Sequence, residues 1–305
     1  MFNREFKSII ELMTYFDTEQ KCVEYLESIR WRNGVTSPFD PSSKIYKLKN
    51  HRYYCKNTGK IFNVKTKTLF DSSNVKLRKW FVAIWLMTSH KKGISSYQLS
   101  RDINVTQKTA WFMLQRIRNC YATENEGELS GEVEVDETYV GGKNKNRSTA
   151  KKVSCSQGRS GKDKTPVLGM VEREGKLVAK TLENTSAGTI TPEIVKRVKS
   201  AILYTDEWLG YNTVGKMYKR FIVKHNKGEY ANGKACTNTI EGFWSLLKRG
   251  IFGIYHFTSR KHLQRYVDEF VFRYNSREIS DGNRFNLFLC NSECRITYKN
   301  LVYGK

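Results

Sequence analysis

From residue 129 the chain gives up helical periodicity. GEVEVD alternates acid with valine, and ETYV continues the alternation, a period of two that an extended strand satisfies and a helix does not. Further short apolar stretches follow between turn-rich breaks. Their spacing predicts strands over 132–140, 165–172 (TPVLGMVE), 176–183 (KLVAKTLE), 201–205 (AILYT) and 220–224 (RFIVK). A helix is expected over 189–199, and two more over 238–249 and 258–276. The order β, β, β, α, β, then α/β requires a mixed five-stranded sheet with helices packed on it, an α/β (α+β) domain spanning 130–280. Residues 281–305 are left as a C-terminal tail.

Upstream, the pattern is different. Residues 1–32 read as short N-terminal helices, the second opening at Thr18. Residues 33–70 have the turn-rich rhythm of a zinc ribbon without its ligands: Cys55 is present, and Ser37, Asp40 and Thr58 stand where the others would fall. Zinc is therefore not expected. Residues 75–122 read as a helix-turn-helix. Ser95 with Gln98 forms a capping box, Asn104 and Val105 make the turn, and Thr106 caps a second helix carrying Trp111, Leu114 and Ile117. Such a pair would offer Thr106, Gln107, Lys108 and Thr109 to a DNA groove, with Arg116 and Arg118 near phosphates.

The charge balance points to a polyanionic partner. Lys and Arg number 53 against 30 acids, a net +23 spread along the whole chain, and each phosphate a basic residue neutralises releases condensed counterions. The loop over 143–164, which includes Lys143, Lys145, Lys151 and Lys152, is especially basic. The N-terminus lacks the apolar core of a secretory signal, and the longest apolar run, WFVAIWLM, is too short to span a bilayer. No membrane role is expected, and the location is expected to be cytoplasmic. Seven scattered cysteines without a CxxC pair read as reduced thiols. Cys290 and Cys294, four apart, read as core residues before metal ligands.

Period two puts Glu132, Glu134 and Asp136 on one strand face, and Val133, Val135, Glu137 and Tyr139 on the other. Glu132 and Glu134 read as a solvated face, and Asp136, near the strand end, as the candidate ligand. Asp206 closes the apolar run AILYT, where it could equally cap a following helix. Glu241 lies three residues after Asn238, as in a capping box. Taken together, an acid on the first strand, one after the fourth and one on a later helix can hold two divalent ions about 4 Å apart for phosphodiester displacement. Oxygen ligands favour Mg²⁺ or Mn²⁺.

Glu241 follows Asp206 by 35 residues. This D, D, 35, E pattern resembles that of DDE transposases and retroviral-type integrases. VEVDETYVGGK, YTDEWLGY, NTIEGFWSLLKRGI and HLQRYVDEFVFRYNSR are similar, in order and spacing, to bacterial insertion-sequence transposases of the Merlin-related, ISXO-two-like group, over roughly residues 30–280. The resemblance implies a ribonuclease H-like fold for 130–280, with Asp136, Asp206 and Glu241 as catalytic metal ligands and Asn238 as an alternative third position. It also implies that Lys248, two turns after Glu241 on the same helix face, contacts the DNA end, with Arg249 beside it. The expected activity is Mg²⁺-dependent strand cleavage at terminal inverted repeats and strand transfer into target DNA, by a nucleoid-associated homodimer or higher oligomer. The alternatives are a domesticated, non-catalytic DNA-binding protein and a ribonuclease H-like nuclease that cuts without joining.

Overall fold

The computed structural model describes residues 4–142, 148–154, 160–223 and 237–304. The chain forms two compact units, Met1–Tyr121 together with Glu278–Lys305, and Ala122–Arg277.

In the first unit, α1 (Ile9–Tyr15) and α2 (Glu19–Arg30) begin at Ser8 and Thr18, whose hydroxyls accept from main-chain N–H groups of the first turn. The ribbon-like segment forms an antiparallel sheet of three short strands, β1 (Ile45–Lys47), β2 (Tyr53–Cys55) and β3 (Lys60–Phe62). Cys55 is buried at its end. Burial works against the thiolate, but hydrogen bonds from the Ser37, Ser43 and Thr58 hydroxyls outweigh it and bring the thiol down to about 7. Asp40 is turned into its own loop, accepting from Ser42 at 2.7 Å and Asn57 at 2.8 Å.

Helix α3 (Leu77–Ser89) is buried on most of its circumference. After it, α4 (Ser96–Asp102) and α5 (Gln107–Cys120) are capped by Ser95 and Thr106, as their sequence signals predict. Asn104 makes the break with a φ of 49°. Gln98 does not reach back to complete a box; its amide donates to Asp102 at 2.7 Å.

The second unit is built on five strands: β4 (Leu129–Val140), β5 (Thr165–Glu172), β6 (Leu177–Thr181), β7 (Val198–Thr205) and β8 (Lys219–Ile222). Their order in the sheet is β6-β5-β4-β7-β8. β4 pairs antiparallel with β5 and parallel with β7, β5 pairs antiparallel with β6, and β7 pairs parallel with β8. Helix α6 (Ala187–Arg197) covers one face, packing Ile190 and Ile194 against Val133, Val135, Leu168 and Met170. Helices α7 (Asn238–Gly250) and α8 (Arg260–Asn275) cover the other, with Ile240, Phe243, Trp244, Leu247, Val267 and Phe270 against Val140, Val167 and Val171. The period-two reading of β4 assigns the faces correctly. The expectation of a solvated acidic face does not hold, because α7 lies over it and leaves Glu134 fully buried.

The last residues are not a tail. α9 (Asp281–Cys290) and α10 (Tyr298–Tyr303) belong to the first unit, and Phe285 of α9 packs edge-on to Phe81 of α3 with centroids 5.6 Å apart. This return also overturns the reading of all cysteines as free thiols. Cys120 and Cys294, 174 residues apart, come together with Cα atoms 5.5 Å apart and form a disulfide. Sequence spacing cannot reveal such a pair, since only the fold brings the two segments together. Cys22, Cys55 and Cys290 are free.

Candidate active site

β4 and β7 are adjacent and parallel, with Glu134 opposite Tyr204. Two residues further along each strand stand Asp136 and Asp206, so both acids emerge at the same carboxyl end of the sheet. Neighbouring strands lie about 4.8 Å apart, and open α/β sheets characteristically bind ligands outside this end. Glu241 arrives from elsewhere, in the first turn of α7. All three acids line one cleft of about 700 Å³, together with Glu137, Lys164, Trp244, Ser245 and Lys248.

Asp136 carries the electrostatic signature of the site. Burial, then the neighbouring charge of Glu137, then that of Asp206, push its carboxyl up to about 7. The indole N–H of Trp244 works in the opposite direction, donating to Oδ2 at 3.0 Å. Glu137 lies on the other face of β4 and accepts from the Tyr211 hydroxyl, which burial first and this carboxylate second hold well above the usual tyrosine range. Trp244 can reach Asp136 because Gly169 stands opposite that residue on β5. A Cβ there would lie 2.6 Å from the indole ring.

The donor set fits a hard divalent cation. It is carboxylate oxygen throughout, and Asp136, raised first by burial and then by the charges of Glu137 and Asp206, is a carboxyl whose ionised form a cation would stabilise. Among the described residues no three Asp, Glu, His or Cys side chains are gathered to hold one ion. Instead each acid accepts from a protein donor: Asp136 from Trp244, Asp206 from the main-chain N–H of Trp208 at 3.0 Å, and Glu241 from the Thr237 hydroxyl at 3.1 Å. Mg²⁺ is ordinarily held by one or two carboxylates, with water and phosphate oxygens completing its shell. Asp136 and Asp206, near enough for the charge of Asp206 to raise Asp136, offer two such carboxylates.

Other residues expected at a site are distributed differently. Lys248 lines the cleft two turns along α7 from Glu241, whereas Arg249 is exposed beside it and Asn238 is exposed outside it. Asn238 does not cap α7 either, since Thr237 is the N-cap residue and makes no side-chain cap. In the first unit, Thr106 and Lys108 are exposed, while Gln107 donates to Ser96 at 2.9 Å and Thr109 shares a hydrogen bond with Thr106. Arg116 is not available to phosphates. It is buried, and its guanidinium donates to the carbonyls of Asp71 at 2.7 Å and Ile296 at 3.2 Å. Arg118 is buried as well. Lys152 is exposed; Lys143, Lys145 and the side chain of Lys151 lie outside the described residues. Lys164, at the end of the basic loop, lines the cleft although its sequence context sets it apart from none of its neighbours.

Residues 128–275 match the ISXO2-like transposase domain. Across 274 residues the chain is 29% identical to a protein of transposable element ISH50 from Halobacterium salinarum, covering 85% of this chain and 91% of that one. Among solved structures it is similar to chains in a pre-cleavage Mos1 transpososome, at 12% identity over 67% of this chain and 75% of that chain with a TM-score of 0.25. The Mos1 strand transfer complex is similar at 12% identity over 70% and 74%, with a TM-score of 0.26. The family match covers the five strands and the helix that carry Asp136, Asp206 and Glu241, and over residues 128–275 the chain is identified as an ISXO2-like transposase domain.

Proposed function

We propose that the protein cuts double-stranded DNA at the ends of its element and joins those ends to target DNA, using Asp136, Asp206 and Glu241 as the catalytic carboxylates. The observation that carries this reading is the convergence of the three acids, from two strand ends and a helix, on one cleft that Lys164 and Lys248 also line. The strand order β6-β5-β4-β7-β8, with only β5 and its neighbours antiparallel, supports assignment to the ribonuclease H-like fold.

The three acids would hold Mg²⁺ or Mn²⁺, which when bound supplies Lewis-acid stabilisation of charge at the scissile phosphate. The chain's own residues do the rest. Lys164 and Lys248 draw the phosphodiester into an otherwise acidic cleft. Trp244 orients Asp136 through its indole N–H. Asp206 is held by the main chain of Trp208, and Glu241 by Thr237. The exposed first turn of α5, with Thr106 and Lys108, is the proposed base-reading element, and the remaining basic surface binds phosphate without sequence preference.

Purified protein incubated with labelled terminal inverted-repeat DNA, target DNA and Mg²⁺ tests the reading. Joined products are expected, and they should vanish in Asp136→Asn, Asp206→Asn and Glu241→Gln with DNA binding kept. Cleavage without joining would leave a nuclease; binding alone would leave a non-catalytic DNA-binding protein.

A further inference from the structure

Glu134 is the most deeply buried acid near the cleft, yet it does not line it. Its side chain is 0% exposed, and a carboxylate in such a place persists only when its oxygens are fully engaged. Oε2 accepts from the main-chain N–H groups of Thr239 at 3.0 Å and Ile240 at 3.1 Å. Oε1 accepts from the Thr239 hydroxyl at 3.1 Å and from Nε of Arg173 at 3.2 Å. Arg173, on the chain just after β5, also donates to Glu132 at 2.6 Å and lies over the Tyr204 ring at 3.9 Å.

These contacts perform the function that the sequence of α7 leaves undone. The first N–H groups of a helix have no partner within it, and Thr237 makes no side-chain cap because its hydroxyl goes to Glu241. A carboxylate 105 residues earlier supplies the acceptor instead. Its charge also meets the positive end of the helix dipole.

The placement matters for the site. Glu134 and Asp136 share one face of β4, about 7 Å apart along the strand. The two residues it holds, Thr239 and Ile240, immediately precede Glu241. We infer that Glu134 is a positioning residue that pins the start of α7 to β4 and thereby sets where Glu241 stands relative to Asp136. The inference rests on the proposed roles of those two acids. The Trp244 contact to Asp136 is the second strut, one turn further along the same helix.

The test separates the anchor from the chemistry. In Glu134→Gln the side chain keeps its size but turns donors toward groups that need an acceptor. Deuterium exchange of the intact protein, without metal, is expected to speed up at least tenfold in peptides covering 238–244, with exchange elsewhere in the sheet unchanged. Mn²⁺ affinity, followed by electron paramagnetic resonance, is expected to fall at least tenfold and to recover partly in Glu134→Asp. Unchanged exchange at 238–244 would overturn the anchor. Faster exchange with unchanged Mn²⁺ affinity would overturn its role in setting the site. If Glu134→Gln fails to fold, Thr239→Val, which removes one of the four contacts, should show the same two changes in weaker form; no change in either would sink the proposal. The proposed catalytic triad fails by a different result, strand transfer retained in Asp206→Asn and Glu241→Gln, which leaves the exchange readout standing.

Discussion

The indole N–H of Trp244, on α7, donates to Oδ2 of Asp136, on β4, at 3.0 Å. This bond crosses from helix to sheet at the acid whose carboxyl burial and like charges push up to about 7. It opposes that shift, since it stabilises the ionised form. Trp244→Phe keeps the ring against the sheet and removes only the donor. The Asp136 carboxyl should then hold its proton to higher pH, and the rising limb of the pH–rate profile should move upward. Hydrogen bonds to charged groups contribute about 1.5–3 kcal/mol, so strand cleavage near neutral pH should fall roughly tenfold.

The same shift predicts that the acid costs stability when no metal is present. Its folded value of about 7 stands above the ordinary 3.8, so the folded state binds the proton more tightly than the unfolded state. In metal-free protein this group's own contribution to stability should be fully present below about pH 4, be lost as pH rises to 7, and level off above it. A shift of this size corresponds to about 4 kcal/mol as an upper bound. Asp136→Asn, which still offers an oxygen to Trp244, should abolish activity yet unfold at higher urea concentration than the parent at pH 8. Below pH 4 the two midpoints should converge.

The period-two alternation in GEVEVDETYV puts Glu132, Glu134 and Asp136 on one side of β4 and Val133, Val135, Glu137 and Tyr139 on the other, as the sheet has them, and the order of apolar segments located all five strands, with β7 starting at Val198 where the helix is expected to run on to 199. Asp136, Asp206 and Glu241 read as a candidate set from the elements that carry them, Lys248 joins them only through the family resemblance, and the fold brings all four to one cleft. What lies on top of a face was not legible. Glu134 reads as a solvated acid because nothing in the strand records that α7 will cover it, and the uncapped start of α7 is visible only once Thr237 is seen bonded to Glu241. Arg116 fails for the same reason, since a basic residue near a helix end looks identical whether it faces solvent or carbonyls. The Cys120–Cys294 bond depends on the return of the C-terminal helices to the first unit.

Gly169 should be intolerant of any side chain. A Cβ would stand 2.6 Å from the Trp244 ring and 2.7 Å from Ile240 Cδ1. Gly169→Ala must push α7 away from the sheet, costing about 1–3 kcal/mol as overpacking and misplacing both Trp244 and Glu241. Gly242, on α7 itself, has nothing within 4 Å of a Cβ. Gly242→Ala should instead stabilise by about 0.5–1 kcal/mol through helix propensity. Paired urea titrations of the two variants check the opposite signs.

Arg116 and Lys108 lie on one helix and should fail in different ways. Arg116 donates to two main-chain carbonyls in the interior, and its removal leaves buried acceptors without partners at about 1–3 kcal/mol each. Arg116→Ala should therefore lower the unfolding midpoint, while the folded fraction binds DNA with the parental salt dependence. Lys108 is exposed, with its ammonium 5.5 Å from the Tyr298 ring. If it meets a phosphate, Lys108→Ala leaves stability within about 0.5 kcal/mol, weakens binding across all sequences, and reduces the slope of log affinity against log salt by about 1. Binding titrations on terminal inverted-repeat and random DNA across several salt concentrations distinguish the two. A changed salt slope in Arg116→Ala with unchanged stability would return that residue to the DNA interface.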